Sequence, residues 1–91
     1  MKHNSYFDGK VQSLGSKFPD GNATVGVMEP GKYIFSTNTE ERMTVIAGSM
    51  KAKLPGEGWH EYGMDGTFVV PANVSFEVEA SASAAYICYY K

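Results

Sequence analysis

The sequence predicts an all-β fold, a single small barrel of the jelly-roll kind, and three observations carry that prediction. Short runs rich in Val, Thr, Tyr, Ile and Phe alternate apolar with polar residues. In Ser75 to Glu79, for example, Phe76 and Val78 fall on one face and Ser75, Glu77 and Glu79 on the other, so that one side is wet. These runs recur at intervals of about ten residues, each closed by its own turn residues, which is the spacing of a sandwich or barrel. No segment carries a helical period over an ordinary helix length. Thr37 to Ala47 comes nearest, with Thr37 and Glu40 placed for a capping box. The alternation of Met43, Val45 and Ala47 against Thr44 and Ile46 assigns it to a strand instead.

Taken in order, residues 1–9 read as a polar N-terminal arm, ended by Gly9, whose Tyr6 and Phe7 tuck their rings against the body. Lys10 to Leu14 alternates as a first strand. Gly15 to Asn22 is expected to be a loop from its Gly, Pro, Asp and Asn content, with Asp20-Gly21 as a tight turn. Ala23 to Met28 and Lys32 to Thr37 are strands, separated by Glu29-Pro30-Gly31. The polar stretch from Ser36 to Arg42 then leads into a strand that begins at Met43 and runs on to Lys53, with Gly48 as a bend or bulge. Leu54 to Gly58 is a turn. Trp59 to Tyr62, Thr67 to Val70 before Pro71, Ser75 to Glu79, and Ala85 to Tyr90 supply the remaining strands, the last reached through the small residues Ala80 to Ala84.

Ninety-one residues leave room for one core, so residues 1–91 are a single domain. A hydrophobic fraction of 43%, with 13% aromatic, excludes a disordered chain. The net charge is −2, the charges are interleaved, and Arg42 is the only arginine. Tracking a phosphate backbone needs clustered Lys and Arg, so nucleic acid is not an expected partner. No apolar run is long enough to span a membrane and the first residues lead into no apolar leader; a soluble protein is expected, without membrane contact. Cys88 is alone and can form no internal disulfide, which suits a cytoplasmic location. Set between Ile87 and Tyr89, far in sequence from His3 and His60, it reads as packing rather than as a nucleophile. Neither histidine has a ligating partner at i+2 or i+4, so neither a metal centre nor any other cofactor is expected.

The spacing of Gly31, Thr37, Thr39, Glu41 and Gly48 resembles the first signature of the cupin superfamily, with threonines where metal-binding cupins carry their His-x-His pair. Gly66 and Pro71 resemble the start of the second signature, but Phe76 lies near the position of its histidine. The chain therefore looks like a cupin-like jelly-roll barrel that has lost its metal. A closer resemblance covers Tyr6 to Tyr90. The segments VGVM (Val25 to Met28), GKYIFST (Gly31 to Thr37), EERMTVIAG (Glu40 to Gly48) and Leu54-Pro55, with the pair Trp59 and Tyr62, FVVP (Phe68 to Pro71), Ser75-Phe76 and the Y-x-C-x-Y of Tyr86 to Tyr90, are together similar to the pyrimidine/purine nucleoside phosphorylase family of small cupins. That resemblance implies phosphorolysis of purine and pyrimidine nucleosides to free base and pentose 1-phosphate. Inorganic phosphate is then the co-substrate, no metal is used, and the enzyme is a homodimer.

Such a reaction sorts the polar residues by role. Breaking an N-glycosidic bond builds positive charge on the sugar, which a carboxylate stabilises; Glu41 is the first candidate and Glu40 the second. Phosphate needs donors and a cation. Arg42 offers a guanidinium fork beside the hydroxyls of Ser36, Thr37 and Thr39, with Lys32, Lys51 and Lys53 as point-charge alternatives. A base needs an aromatic slot, for which Tyr33, Phe35, Phe76 and Tyr89 are available, and stacking would tolerate many bases. Plainer readings stand beside these: Glu40-Glu41-Arg42 as a solvated turn with a local ion pair, and Phe35 as core. If the threonines replace inward histidines, alternation turns Tyr33, Phe35 and Thr37 inward and Ile34 and Ser36 outward. Arg42 follows Glu41 directly, and strand neighbours face opposite ways. In the last strand both faces are apolar, Tyr86, Cys88 and Tyr90 against Ile87 and Tyr89, which suits one face against a partner subunit. A non-catalytic cupin module holding a small sugar or nucleoside-like ligand in the same mouth is the alternative from a different class.

Overall fold

Alternating side chains need two surroundings, core and water, and ten antiparallel strands provide them. The computed structural model describes all residues 1–91. Its strands are β1 (Lys2–Tyr6), β2 (Val11–Phe18), β3 (Gly21–Met28), β4 (Gly31–Ser36), β5 (Glu41–Ala47), β6 (Met50–Lys53), β7 (Trp59–Tyr62), β8 (Thr67–Val70), β9 (Ser75–Ala80) and β10 (Ala84–Tyr90), with no helix. They form a six-stranded sheet ordered β1-β2-β3-β10-β5-β8 and a four-stranded sheet ordered β4-β9-β6-β7. The chain crosses from one sheet to the other at β3–β4, β4–β5, β5–β6, β7–β8, β8–β9 and β9–β10, which makes the sandwich a jelly roll. Between the sheets Val11, Met28, Val45, Met50, Val70 and Val78 are sealed from water. Each buried side chain of this size contributes about 1.5–3 kcal/mol of transfer free energy, so the core alone draws the sheets together.

Three segments differ from the sequence reading. The residues expected as an arm form edge strand β1, paired with β2 from Lys2↔Gly15 to Tyr6↔Val11. The rings of Tyr6 and Phe7 do lie on the body, against Phe35 and Tyr33. A strand of polar residues with one neighbour carries no hydrophobic period to announce it. Gly15 to Phe18, expected as loop, continues β2, and only Pro19-Asp20 remains as the turn before Gly21, whose φ is 128°. Gly15 serves close packing rather than chain breaking: a Cβ there would lie 3.0 Å from Cγ2 of Thr24 on β3. The single strand expected to reach Lys53 is split between the two sheets as β5 and β6. Ala85 pairs with Ala47 while Tyr86 pairs with Val45, which leaves Ile46 as a bulge. Gly48, at φ 73°, then turns the chain across.

Candidate functional site

Alternation along β5 points Glu41, Met43 and Val45 into the barrel, and alternation along β10 does the same for Tyr86, Cys88 and Tyr90. The register Tyr90↔Glu41, Cys88↔Met43, Tyr86↔Val45 sets the two rows side by side. The Cys88 thiol lies 3.5 Å from Oε1 of Glu41 and donates to it. The Tyr90 hydroxyl pairs with Oγ1 of Thr24 at 3.0 Å. Tyr86 lies across β3 because position 26 is glycine; a Cβ there would come within 2.5 Å of the Tyr86 phenol.

These side chains form one wall of a cavity of about 270 Å³. Ser13 of β2 and Met43 complete that wall, and the facing wall is aromatic. Phe35 of β4 and Phe76 of β9 are tilted rings 5.8 Å apart. Phe7 from the β1–β2 turn meets Phe35 edge-on at 5.5 Å, and Tyr6 does so at 6.4 Å. Glu41 is the only charged residue among those lining the cavity. Burial raises its proton affinity above the ordinary carboxylate range, against a smaller opposite pull from the Cys88 hydrogen bond. Burial, then the Glu41 charge, pushes the Cys88 thiol up to about 12. It is therefore a neutral donor at pH 7 and not a nucleophile. Burial likewise holds the Tyr86 and Tyr90 phenols above their usual range, so both remain O–H groups.

Of the residues singled out from the sequence, Glu41, Phe35 and Phe76 meet in this cavity, and Ser36 lies on its rim with its hydroxyl paired outward to Ser75 at 3.1 Å. The others lie elsewhere. Arg42 is on the outer face of β5, its guanidinium 4.9 Å over the ring of Tyr89, because consecutive strand residues point to opposite sides. Thr37 is buried and donates to the Pro71 carbonyl at 2.7 Å while accepting from the Val74 amide at 3.1 Å, which ties β4 to the loop before β9. Thr39 is half-buried in the β4–β5 crossing, outside the cavity. Glu40 pairs with Lys91 at 3.6 Å. Tyr33 sits behind Phe35 and donates to the Glu29 carbonyl at 2.6 Å. Lys32 pairs with Glu77 at 3.5 Å, and Lys51 and Lys53 are on the exposed face of β6. His3 bonds Gln12 at 2.9 Å and His60 lies 3.6 Å from Glu57; no three His, Cys, Asp or Glu side chains come together as a metal-ligand group.

Sequence reasoning did not assign Tyr6, Phe7, Ser13, Ile34, Met43, Tyr86, Cys88 and Tyr90 to the site. The signal for the last three was present in the Y-x-C-x-Y alternation. It lacked only the register that places this face, rather than that of Ile87 and Tyr89, beside Glu41.

Residues 1–90 match the family model described as pyrimidine/purine nucleoside phosphorylase. The chain belongs to the pyrimidine/purine nucleoside phosphorylase family. Proteins of that name from Magnetococcus marinus and Yersinia enterocolitica are 46% and 47% identical to it, over 99% of this chain and 98% and 97% of theirs. A crystal structure of a protein of unknown function from Vibrio parahaemolyticus, 44% identical, superposes with a TM-score of 0.94 over 99% of this chain and 97% of that one. A cupin domain from Schizosaccharomyces pombe, at 13% identity, reaches 0.70 over 100% of this chain and 69% of its own, which establishes the cupin fold and nothing of its chemistry. In this member of the nucleoside phosphorylase family, the cavity offers one carboxylate, neutral O–H and S–H donors and a bank of rings.

Proposed function

We propose that the chain is a nucleoside phosphorylase that cleaves purine and pyrimidine nucleosides with phosphate to free base and pentose 1-phosphate. The observation that carries this reading, beside family membership, is the lone half-buried carboxylate of Glu41 facing an aromatic wall. As the C1′–N bond lengthens, positive charge grows on the sugar. A carboxylate in a partly water-excluded cavity stabilises that charge more than it stabilises the neutral nucleoside. A phosphate oxygen then bonds C1′, the base leaves with the bonding pair, and the proton given up by hydrogen phosphate ends on the base nitrogen. Phe35 and Phe76 stack the base, and since every base has a π face this favours breadth over selectivity. The Cys88 thiol orients Glu41, and the Tyr86 and Tyr90 hydroxyls are donors for the sugar.

The proposed reaction uses no metal, because Glu41 supplies the charge stabilisation itself. A homodimer in the cytoplasm belongs to the same proposal. The dimer is supported by Leu14, Val25, Val27, Ile46 and Val69, aliphatic side chains 42–53% exposed on the outer face of the six-stranded sheet. The location is supported by the single free thiol. The test is release of free base from uridine and from adenosine by chelator-treated protein, with and without inorganic phosphate. Release from both that requires phosphate and survives the chelator is the expected result. No release from either nucleoside would leave the non-catalytic binding module as the better account.

A further inference from the structure

Phosphate arrives at this site as an anion, yet the cavity is lined by a carboxylate and by no cation. The chain has eight Lys and Arg residues, and their positions in the fold sort them. Arg42 stacks outside on Tyr89, Lys32 and Lys91 are engaged by Glu77 and Glu40, and Lys51 and Lys53 project from the outer face of β6. Lys10 is in the β1–β2 turn, by the outward pair His3 and Gln12. Two lysines remain. Lys2 pairs with Gly15, Gly15 with Thr24, Thr24 with Cys88 and Cys88 with Met43, so Lys2 begins a row that runs across five strands on the inward face. One step along, Lys17 pairs with Asn22, which lies just past the last β3–β10 pair, Ala23↔Tyr89; Tyr90, the next residue of β10, pairs with Glu41. Neither lysine takes part in an ion pair.

Both line an open groove with Asn4, Asn22 and Thr24, and this groove shares Tyr6 and Tyr90 with the cavity that holds Glu41. The inward side of β1, β2 and β3 therefore has a basic, amide-rich end that opens past two phenols onto the carboxylate.

We infer that Lys2 and Lys17 form the binding site for the phosphate co-substrate, which reaches the sugar from the Tyr6–Tyr90 side while the base lies against the rings of the other sheet. The inference rests on the phosphorylase reading. It gives each reactant its own sheet: phosphate on the six-stranded sheet and base on Phe35 and Phe76 of the four-stranded one. Lysine acts here as a mobile point charge on a tetrahedral anion, with Asn4 and Asn22 supplying neutral donors. Set on β1 and β2, four and three strands across the sheet from Glu41 on β5, the lysines draw phosphate in without neutralising the carboxylate that the sugar needs.

The experiment is steady-state kinetics on Lys2→Gln, Lys17→Gln and the double variant, with Arg42→Gln as a control, joined to a phosphorus NMR titration of inorganic phosphate without nucleoside. Both lysines are exposed, so folding is unaffected, and circular dichroism verifies this. Each single variant raises KM for phosphate at least about fivefold, as expected for loss of one charge-assisted contact, and leaves KM for uridine within about twofold. Lys2→Arg and Lys17→Arg retain phosphate binding. An unchanged phosphate KM in the double variant, an equal rise in both KM values, or an effect of Arg42→Gln in place of the lysines would overturn the inference. If the wild-type protein releases no base, the phosphorylase reading fails by itself, and the titration then decides. Phosphate line broadening that the double variant abolishes upholds the lysine site, and its absence from the wild-type protein or persistence in the variant refutes it.

Discussion

Glu41 is held under two opposed demands. The proposed mechanism asks for a carboxylate, and burial favours the acid. Its folded-state pKa lies above the unfolded value, so its contribution to stability is full below the unfolded pKa and is lost as pH rises through the folded one. Glu41→Gln, a neutral isostere, should therefore raise Tm at pH 7–8 and give no gain near pH 4, where the wild-type side chain is protonated too. The same substitution should lower turnover by about 100-fold or more. In the wild type, the acid limb of the rate profile should lie above the range of an ordinary exposed carboxylate, because activity fades as pH falls through the raised pKa. A rate profile flat down to pH 4 would remove Glu41 from the reaction. At this scale, inward positions were legible wherever one residue in two was apolar: Phe35, Phe76 and, by its distance from Gly48, Glu41. Arg42 shows why the rest was not. Adjacency in sequence reads as adjacency in function, whereas on a strand it means opposite faces.

The element that distinguishes this mouth is the β1–β2 hairpin. Phe7 and Asp8 both adopt left-handed backbone, at φ 53° and 56°, ahead of Gly9 at 85°, and the resulting turn carries the Phe7 ring to Tyr33 and Phe35. β1 has a hydrogen-bonded neighbour on one side only, which places it at the low-stability end of the fold. Phe76, by contrast, sits on β9, which is paired on both sides within the second sheet, and Phe35 lies opposite it on β4, the edge strand of that sheet. Phe7→Ala should raise the nucleoside KM roughly five- to tenfold through loss of an aromatic contact of about 1–1.5 kcal/mol, and leave the phosphate KM nearly unchanged. Steady-state kinetics in each substrate checks this, and a matched rise in both constants would show that the hairpin merely holds the sheet together. This element was the least legible in the sequence. A polar edge strand looks like a tail, and Gly15 looks like a break until Thr24 is found beside it.

Across the whole molecule, the six-stranded sheet carries apolar side chains on both faces. The inner face holds the core, and the outer face exposes Leu14 beside its register partner Val25, with Val27, Ile46 and Val69 on the same side. Soluble monomers rarely leave contiguous apolar patches of more than a few hundred Å² in water. Sedimentation should give about twice the 9.9 kDa chain mass, and Val25→Glu with Val27→Glu should halve it. A wild-type monomer would contradict the dimer. The doubled apolarity was visible in the Tyr86 to Tyr90 strand, and it hid the site because neither face stood out as the inward one. Short alternating runs with their own turns made the barrel legible; the strand order, set by contacts between residues far apart in the chain, was not.

The most direct test follows the phosphate itself. Wild-type protein and Glu41→Gln are each incubated with uridine and inorganic phosphate, with phosphorus NMR and base release recorded together. The wild-type protein should give a new phosphate-ester resonance of pentose 1-phosphate in step with uracil, and the variant neither at a comparable rate. Uracil without the ester would make the reaction a hydrolysis, and an equally active variant would show that Glu41 is not the group on which the site depends.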